Sequence, residues 1–574
     1  GRRKGVNGSR FVLEALRQEG VNHVFMVPGG LLDPFLPELG EPSGVAAVIA
    51  AHEGGAAFMA DGYARASGRF GVCLAIGGPG VANMVGPLAA AYADESPVLC
   101  ITGQVPTMWE GRGAFQDASP AGLDDMAFVR PVTAYAHEVV KAGDVAHHLH
   151  VALRTMLGLE RRPVNLSLAK DIQAAEVTDD YRPLTDATVE PPRLVDIEAA
   201  TGLARTIAAA SNVVLLCGNG AVQSGASPDL IAFAEQFGVP VATTLRAKGL
   251  FPEDHELSLG VFGYAGTRHA TEALLGGGAD LVVVLGSSLN QRDTMVWNEN
   301  LRPEGGIVQV DLDPAVFGRN YPVDHTIVSD VRSVLQFLLA SEDLEKPLGA
   351  SKDDRARWVS DIRRLDRHYD SDTRTSDQVP IHPARVVTDL RAVAPRNTVV
   401  LIDSGAHRAF TGHHWDAYQA RDYLSSTTLA PMGWAIPAGV GASVARPEDP
   451  VVVVTGDGCM LMHGMEVQTA AAQNLPVIFM VMNNSALGNV YLRARHISDS
   501  AGALAQLPTH DWVAFGESLG VPGRRVDDPA DLTAAFEEAF AADGPFLLDI
   551  RTDREAGTPI TAWTEANQQW IEAH

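Results

Sequence analysis

The sequence has few cysteines and no long apolar run. Among its 574 residues four are cysteines, Cys73, Cys100, Cys217 and Cys459, and their wide spacing fits neither a disulfide framework nor a metal-binding motif. No stretch of about eighteen uninterrupted apolar residues occurs, so we expect no membrane span. The first residues, GRRKGVNGSR, are basic, but no apolar signal core follows them. These absences predict a cytoplasmic protein with buried, reduced thiols.

Clusters of positive charge are also missing. The formal net charge is −26, from 70 acidic and 44 basic residues, and no block of Lys and Arg interrupts the acidic background. Because affinity for phosphate backbones and anionic lipids depends on clustered cations, we expect no nucleic-acid or membrane partner. A small anionic substrate is still compatible with this charge, since one Arg or a few backbone N–H groups suffice to hold it.

Short apolar runs alternate with helical patterns along most of the chain. The strand-like runs are almost continuous in Val, Ile and Leu, which indicates parallel strands buried on both faces. The pattern weakens at 174–193 and 340–380. We therefore predict an α/β fold with three doubly wound parallel-sheet domains, at 1–180, 190–345 and 375–574. The first and third domains each contain a strand that ends in a Gly-rich turn, FGVCLAIGGPG and PVVVVTGDG, so ligand loops are expected at those sheet edges.

The strongest motif lies in the third domain. The strand PVVVVT runs into a Gly-Asp-Gly turn at 456–458, and after 24 intervening residues the strand LPVIFMVM runs into an Asn pair at 483–484. Mg²⁺ prefers hard oxygen ligands and is commonly held by one or two protein groups together with phosphates. Asp457, Asn484 and the backbone carbonyl of Ala486 are therefore the predicted metal ligands. The two glycines let a diphosphate approach the backbone closely.

This spacing resembles the diphosphate-binding signature of thiamine-diphosphate enzymes. Segments from VFMVPGG through HEGGAAFMADGYAR, GGPGVANM, GAFQD and LAPMGWAIP resemble the acetolactate synthase-like branch of that family, in that branch's order. The resemblance implies pyrimidine-binding, central and diphosphate-binding domains, with thiamine diphosphate and Mg²⁺ as cofactors. The implied reaction is decarboxylation of a 2-oxo acid with carboligation to a second carbonyl.

Other functions are weighed against this one. A simple 2-oxo acid decarboxylase, or an acyl-transferring lyase such as sulfoacetaldehyde acetyltransferase, stays open. A non-catalytic relative of the same fold is disfavoured because Glu53, Asp457 and Asn484 are all present. A Mg²⁺-dependent phosphohydrolase would need a second carboxylate near the metal, for which Asp403 is the candidate.

The resemblance also assigns roles to individual residues. Glu53 matches the glutamate that contacts N1′ of the cofactor's aminopyrimidine, and Met432 matches the apolar wedge beneath the cofactor. Gln116 and Phe115 match an active-site pair on a loop of the first domain. Ala406 stands where relatives often have Gln. The implied cofactor contacts are Gly29, Gly30, Glu53, Pro79, Asn83, Gly405, Ala406, His407, Pro431, Met432, Gly456, Asp457, Gly458, Cys459, Asn484, Ala486, Leu487 and Gly488.

Some positions depart from the branch. Asn489 and Arg493 occupy the substrate side, where the family pattern has Met and Trp, so together with Phe115 they are predicted to contact an anionic substrate. The pair His413-His414 is expected at a surface or interface. FAD, which the resemblance leaves open in the central domain, is disfavoured by LGSSLNQRD, which keeps Arg292 but loses an upstream Arg. Because Glu53 and Asp457 lie on different domains, the resemblance implies sites between subunits of a homodimer or homotetramer.

Overall fold

Three parallel sheets form the structure, a computed structural model that describes residues 5–574. Residues 1–4, at the start of the first predicted domain, lie outside the described residues. The α/β fold with three helix-covered parallel sheets confirms the predicted fold class. Among the helices of residues 5–574, none has both the length and the apolar character to cross a bilayer.

The first sheet is six-stranded and parallel, with the order β3-β2-β4-β5-β7-β6. A short antiparallel pair, β1 with β8, lies beside it. The strands are β1 (Val6–Asn7), β2 (His23–Met26), β3 (Ala46–Ile49), β4 (Gly71–Ile76), β5 (Val98–Gln104), β6 (Tyr135–Val139), β7 (Val164–Ala169) and β8 (Glu176–Val177). The helices are α1 (Gly8–Gln18), α2 (Glu53–Ser67), α3 (Pro79–Ala93), α4 (Met126–Val129), α5 (Val145–Met156), α6 (Lys170–Ala174) and α7 (Asp186–Val189).

The central sheet is also parallel but has a different order, β11-β10-β9-β12-β13-β14. Its strands are β9 (Val213–Cys217), β10 (Val241–Thr243), β11 (Ser258–Val261), β12 (Leu281–Leu285), β13 (Ile307–Asp311) and β14 (His325–Val328). Its helices are α8 (Ile197–Ala208), α9 (Asn219–Gln223), α10 (Ser227–Phe237), α11 (Arg268–Leu275), α12 (Val331–Leu339), α13 (Glu342–Ala350) and α14 (Lys352–Arg363). The order reverses between β9 and β12, which defines a topological switch point.

The third sheet repeats the order of the first, as β16-β15-β17-β18-β20-β19. Its strands are β15 (Val399–Ile402), β16 (Tyr423–Ser425), β17 (Val451–Gly456), β18 (Val477–Asn483), β19 (Gly523–Val526) and β20 (Phe546–Arg551). Its helices are α15 (Pro383–Val393), α16 (Ala406–His414), α17 (Ala435–Ala445), α18 (Asp457–His463), α19 (Val467–Ala472), α20 (Gly488–Ala494), α21 (Asp499–Ala503), α22 (Trp512–Ser518), α23 (Leu532–Ala541) and α24 (Thr561–Ala573). The first and third sheets therefore have the same topology.

The first and third sheets pack on each other through α2 and α17, within one hydrophobic core. Two glycines allow the close approach: a Cβ at Gly62 would lie 2.1 Å from the carbonyl oxygen of Ala438, and one at Gly441 would lie 1.8 Å from that of Met59. Any side chain at either position would force the helices apart, because interiors are close-packed. The pairing fixes how the first domain sits on the third.

Candidate functional site

A cavity of about 170 Å³ opens at the carboxyl edge of the third sheet. It lies beyond the ends of β15, β17, β18 and β20, the edge at which open α/β sheets bind ligands. The volume is below the roughly 300–1,000 Å³ usual for a complete ligand pocket, so the cavity matches part of a cofactor. Its lining includes these predicted residues: Gly405, Ala406, His407, Met432, Gly456, Asp457, Gly458, Cys459, Asn484, Ala486, Leu487, Gly488 and Asn489.

Asp457 brings a buried carboxylate oxygen without a partner to this cavity. Its side chain is 1% exposed; Oδ1 accepts a hydrogen bond from the backbone N–H of Gly458 at 3.1 Å, whereas Oδ2 has no partner among the described residues. Burial raises the pKa of this carboxyl to about 6. A cation beside Oδ2 would give this oxygen a partner. It would also lower the pKa of the carboxyl, because a positive charge favours the ionised form. The residue therefore fits a metal ion.

The rest of the metal site is made of neutral oxygens. Asn484 Oδ1 already accepts the backbone N–H of Ala486 at 3.1 Å, which holds the loop after β18 in a tight turn. Within residues 5–574 there is no group of three or more His, Cys, Asp and Glu side chains suited to a metal ion. A cation at Asp457 would therefore rely on amide, carbonyl and ligand oxygens, as Mg²⁺ does when it is bound together with a diphosphate.

Glycines keep the floor of the cavity open. Gly405 has φ +152°, and a Cβ there would lie 2.4 Å from the ring of His407. A Cβ at Gly458 would lie 3.1 Å from Cε of Met432, so the predicted wedge residue touches the Gly-Asp-Gly turn.

His407 also lines this cavity. Burial, with the nearby Arg408 cation, lowers the pKa of His407 to about 3, and its Nε2 has no partner among the described residues. His407 is therefore a neutral imidazole that can hydrogen-bond a phosphate oxygen.

Asp403 positions the loop that carries Met432. Its Oδ1 accepts the backbone N–H groups of Gly433 at 2.9 Å and Ala435 at 3.2 Å, and its Oδ2 accepts the hydroxyl of Thr455 at 2.8 Å. Burial raises the pKa of the Asp403 carboxyl to about 6. Since both oxygens are engaged, Asp403 is not available as a second metal ligand, which argues against the phosphohydrolase alternative.

The first-domain residues lie apart from this cavity in the described chain. Glu53 begins α2, and its Oε2 accepts a hydrogen bond from Asn83 at 2.9 Å, so these two predicted contacts are neighbours. Phe115 is 86% exposed, and Gln116 beside it has φ +60°. The predicted contacts that do not line the cavity are Gly29, Gly30, Glu53, Pro79, Asn83, Phe115, Gln116, Pro431 and Arg493.

Two further placements bear on the sequence predictions. Arg493 is exposed on α20, one turn beyond Asn489. The tandem histidines are buried, His413 at 1% and His414 at 2% exposure; His413 Nδ1 lies 3.1 Å from the carbonyl oxygen of Gly266 in the central domain. They therefore lie at an interface within the chain. The residues after β20, Thr552 to Arg554, also line the cavity, and no motif in the sequence marks them.

A larger cavity, of about 950 Å³, lies at the carboxyl edge of the central sheet. It is centred on the switch point, between the loop after β9 (218–220) and the loop after β12 (286–288). Gly220 and Gly286 make these loops touch, since a Cβ at Gly286 would lie 2.7 Å from Cα of Gly220. The two cavities share Ser404, Gly405 and Asn489 in their walls.

The chain has three parallel-sheet domains, and one sheet edge carries a glycine-rich turn suited to a diphosphate and a carboxylate suited to a metal ion. These features define a class of α/β enzymes that hold a phosphorylated cofactor. Family profiles match the chain in three places: "Thiamine pyrophosphate enzyme, N-terminal TPP binding domain" at residues 6–127, the "central domain" at 200–338 and the "C-terminal TPP binding domain" at 403–550. The chain belongs to the thiamine pyrophosphate enzyme family, which confirms the resemblance.

Relatives resemble the chain along almost all of its length. It is 34% identical over 572 residues to the "Probable acetolactate synthase large subunit" of Methanocaldococcus jannaschii, covering 97% of this chain and 93% of the relative. It is 32% identical over 565 residues to the "Acetolactate synthase large subunit" of Corynebacterium glutamicum, covering 96% and 87%. It is 32% identical over 555 residues to "Acetolactate synthase 1, chloroplastic" of Nicotiana tabacum, covering 95% and 81%.

Proposed function

We propose that this protein catalyses thiamine-diphosphate- and Mg²⁺-dependent decarboxylation of a 2-oxo acid, with carboligation of the remaining fragment to a second carbonyl. The observation that carries the proposal is the unpartnered Oδ2 of Asp457, set between the glycines of the turn at 456–458 in a cavity that also contains Asn484. The names of the relatives support the same reaction class. The simple decarboxylase and acyl-transfer alternatives have no comparable support.

The chain's own residues would divide the work. Asp457, Asn484 and the Ala486 carbonyl would hold Mg²⁺. His407 would donate a hydrogen bond to a phosphate oxygen, and Met432 would support the cofactor's ring end from below. Bound thiamine diphosphate would supply the nucleophilic carbon and the electron sink that decarboxylation needs. Glu53 would hold or release a proton at the aminopyrimidine.

The test is product identification with the purified protein, thiamine diphosphate, Mg²⁺ and pyruvate. We expect release of CO₂ with acetolactate as the carbon product. Acetaldehyde alone would move the protein to the simple decarboxylases. Absence of CO₂ release from pyruvate, together with release of sulfite from sulfoacetaldehyde in the presence of phosphate, would favour an acyl-transferring lyase. Absence of cofactor binding would contradict the proposal.

We also propose that the active site forms between two copies of this chain. Glu53 does not line the cavity of its own chain, and the loop with Phe115 exposes large apolar side chains, among them Met108 at 60% and Trp109 at 53% exposure. Exposed apolar patches of this kind are usually covered by a partner. Besides the third-sheet cavity, α18 exposes Leu461 and Met462 beside an apolar hollow of about 310 Å³.

Mixing two inactive variants tests this assembly. In a composite-site dimer, Glu53→Gln and Asp457→Ala subunits give mixed dimers with one intact and one doubly defective site. Re-association of equal amounts should restore about a quarter of the wild-type activity if subunits pair at random. No restored activity, with mixed dimers verified by mass, would mean that each chain builds its own site. Sedimentation would separate a homodimer from a homotetramer.

For the central cavity we propose a dinucleotide, with FAD as the candidate that the family resemblance supplies. The support is its volume of about 950 Å³ and its location at the switch point of a sheet with the dinucleotide-binding strand order. The volume and location of the cavity favour FAD, whereas the departures from the family pattern in LGSSLNQRD disfavour it. Denaturing the purified protein should release a yellow chromophore with the flavin spectrum. A colourless protein that also fails to bind added FAD would contradict the proposal.

A further inference from the structure

One cation reaches the third-sheet cavity without a partner. Arg554 follows β20 and lines the cavity next to Thr552 and Asp553. Among the lining residues of the described chain, it is the single Lys or Arg. Its half-buried guanidinium forms no hydrogen bond or ion pair with any residue between 5 and 574; its contact is with the ring of Tyr491, 5.4 Å from the ring centroid.

The acidic residues before and after Arg554 in the sequence already have other partners. Asp553 accepts hydrogen bonds on both oxygens, from the backbone N–H of Glu555 at 2.9 Å and from Gln378 Nε2 at 2.9 Å. Glu555 accepts the hydroxyl of Tyr491 and forms an ion pair with Arg495. Neither carboxylate bonds the guanidinium, so among the described residues Arg554 has no hydrogen-bonded counter-ion. It is available to an anion in the cavity.

The strand order places this charge at one end of the cavity. The predicted metal ligands Asp457 and Asn484 follow β17 and β18, so the diphosphate is expected beyond the ends of these two strands. β20 pairs with β18, so Arg554 lies one strand spacing, roughly 5 Å, further along the edge. Met432, which would support the ring end, contacts Gly458 on the β17 side, so the phosphate nearer to Arg554 is the terminal one. His407 is neutral, so no other side-chain cation among the lining residues of the described chain faces that end.

We propose that Arg554 binds the terminal phosphate of thiamine diphosphate. A guanidinium presents two parallel N–H donors that match two oxygens of one phosphate, and charge-assisted bonds of this kind are stronger than neutral ones. The ring of Tyr491, held by Glu555, supports the guanidinium from one side. This inference rests on the proposed function, because it assumes that the cavity holds the diphosphate.

Affinities for thiamine diphosphate and thiamine monophosphate, at saturating Mg²⁺, test the proposal. The variants are Arg554→Gln and Arg554→Lys, with Arg525→Gln as the charge-matched control, since Arg525 is 53% exposed and pairs with Asp527 on the far edge strand. Titration calorimetry or tryptophan fluorescence gives Kd, and thermal unfolding checks that each variant is folded. We expect Arg554→Gln to weaken diphosphate binding roughly ten- to hundredfold, while monophosphate binding changes less than about twofold. Arg554→Lys should recover part of the loss.

Each other outcome overturns the proposal. An unchanged Kd for the diphosphate, or an equal loss for both ligands, would show that Arg554 does not contact the terminal phosphate. An unchanged cofactor Kd with a raised KM for the 2-oxo acid would show that it faces the substrate carboxylate instead. Failure of the wild-type protein to bind thiamine diphosphate would remove the proposed function together with this inference. Normal wild-type binding and turnover with an unaffected Arg554→Gln would remove only the inference.

Discussion

The two cavities of this chain lie at the carboxyl edges of neighbouring parallel sheets, yet they are built differently. The third-sheet cavity is small, about 170 Å³, and contains a buried carboxylate oxygen that has no partner among residues 5–574. The central cavity is several times larger, about 950 Å³, and lies where the strand order reverses. The first is specified by a few side chains at strand ends, whereas the second is specified by topology and by two touching glycine loops.

This difference explains why one site was visible in the sequence and the other was not. A metal ion needs particular ligand atoms, so Asp457 and Asn484 occur in the sequence at a spacing that can be recognised. A dinucleotide crevice is made largely by backbone at a switch point, and strand order cannot be read from a short motif. A sequence motif therefore indicates which atoms a ligand needs, but it indicates little about the size of the cavity.

The largest expected effect separates the two cavities by charge. Asp457→Ala removes the carboxylate that is predicted to hold the metal, so we expect thiamine-diphosphate binding to be abolished while any dinucleotide content stays unchanged. Asp457→Asn, which keeps an oxygen but loses the charge, should bind weakly. Asp527→Ala, an exposed carboxylate of the same domain, is the control. Calorimetry with Mg²⁺ checks it, and near-normal binding by Asp457→Ala would remove the metal assignment.

The next effect tests whether the smaller cavity is incomplete within one chain. Glu53→Gln should keep cofactor Kd within about threefold, because the predicted diphosphate and metal contacts in the third domain are unchanged, but lower kcat roughly 10²- to 10⁴-fold through loss of proton transfer. Glu41→Gln, exposed in the same domain, is the control. The measurement is Kd and kcat on the same preparation. Full activity in Glu53→Gln would show that the cofactor activator lies elsewhere.

Much of the fold and of the third-sheet cavity could be predicted from the sequence. Continuous Val, Ile and Leu runs predicted buried parallel strands, and the Gly-Asp-Gly turn with the Asn pair predicted the lining. Asn489 lines the cavity, but Arg493 is exposed, because one further turn of α20 carries it about 5–6 Å from the sheet edge. The position of Arg493 in the sequence motif does not predict this displacement along the helix.

Other parts depend on contacts that are remote in sequence. Asp403 orients the loop of Met432 through backbone N–H groups some thirty residues away, and no local pattern marks that role. Arg554 is identified only by what its neighbours do: Asp553 and Glu555 flank it in the sequence, but both bond other residues. The proposed contact between Glu53 and the cofactor depends on a second copy of the chain, and no motif of one chain indicates that assembly.

A smaller effect addresses the glycine loops of the central cavity. Gly286→Ala places a methyl group 2.6 Å from the backbone nitrogen of Ala221 at φ +71°, so it combines backbone strain with a clash. We expect a destabilisation of roughly 2–4 kcal/mol and loss of dinucleotide binding, with thiamine-diphosphate Kd unchanged. Gly225→Ala is the matched control, because its φ is +69° but its Cβ would meet nothing within 4 Å. It should cost about 1 kcal/mol, from φ alone. Chemical denaturation and flavin content measure both, and equal effects would mean that the loop contact has no role.

The smallest effect concerns the seam that joins the central and third domains. His368 stacks on His414 with ring centroids 5.4 Å apart and lies 5.3 Å from the ring of His413; Arg374, Arg367 and Lys248 face the same group. Burial, reinforced by these cations, lowers the pKa of His368, and burial lowers that of His413 to about 4. The neutral rings stabilise the fold fully above the unfolded pKa of about 6.5.

As the pH falls from about 6.5 toward 4, these histidines bind protons in the unfolded chain but not in the folded one. The free energy of unfolding therefore decreases with acidification. Carboxyls with raised pKa values, such as Asp403 and Asp457, change stability in the opposite direction, so the seam must be isolated by comparison. His368→Phe keeps the stacked ring without the titration, and it should lose about 2 kcal/mol less than the wild type between pH 7 and pH 5. Urea denaturation at both pH values measures this difference. An identical pH dependence would show that the seam responds to acid through its carboxylates, and that the two cavities are held together independently of these rings.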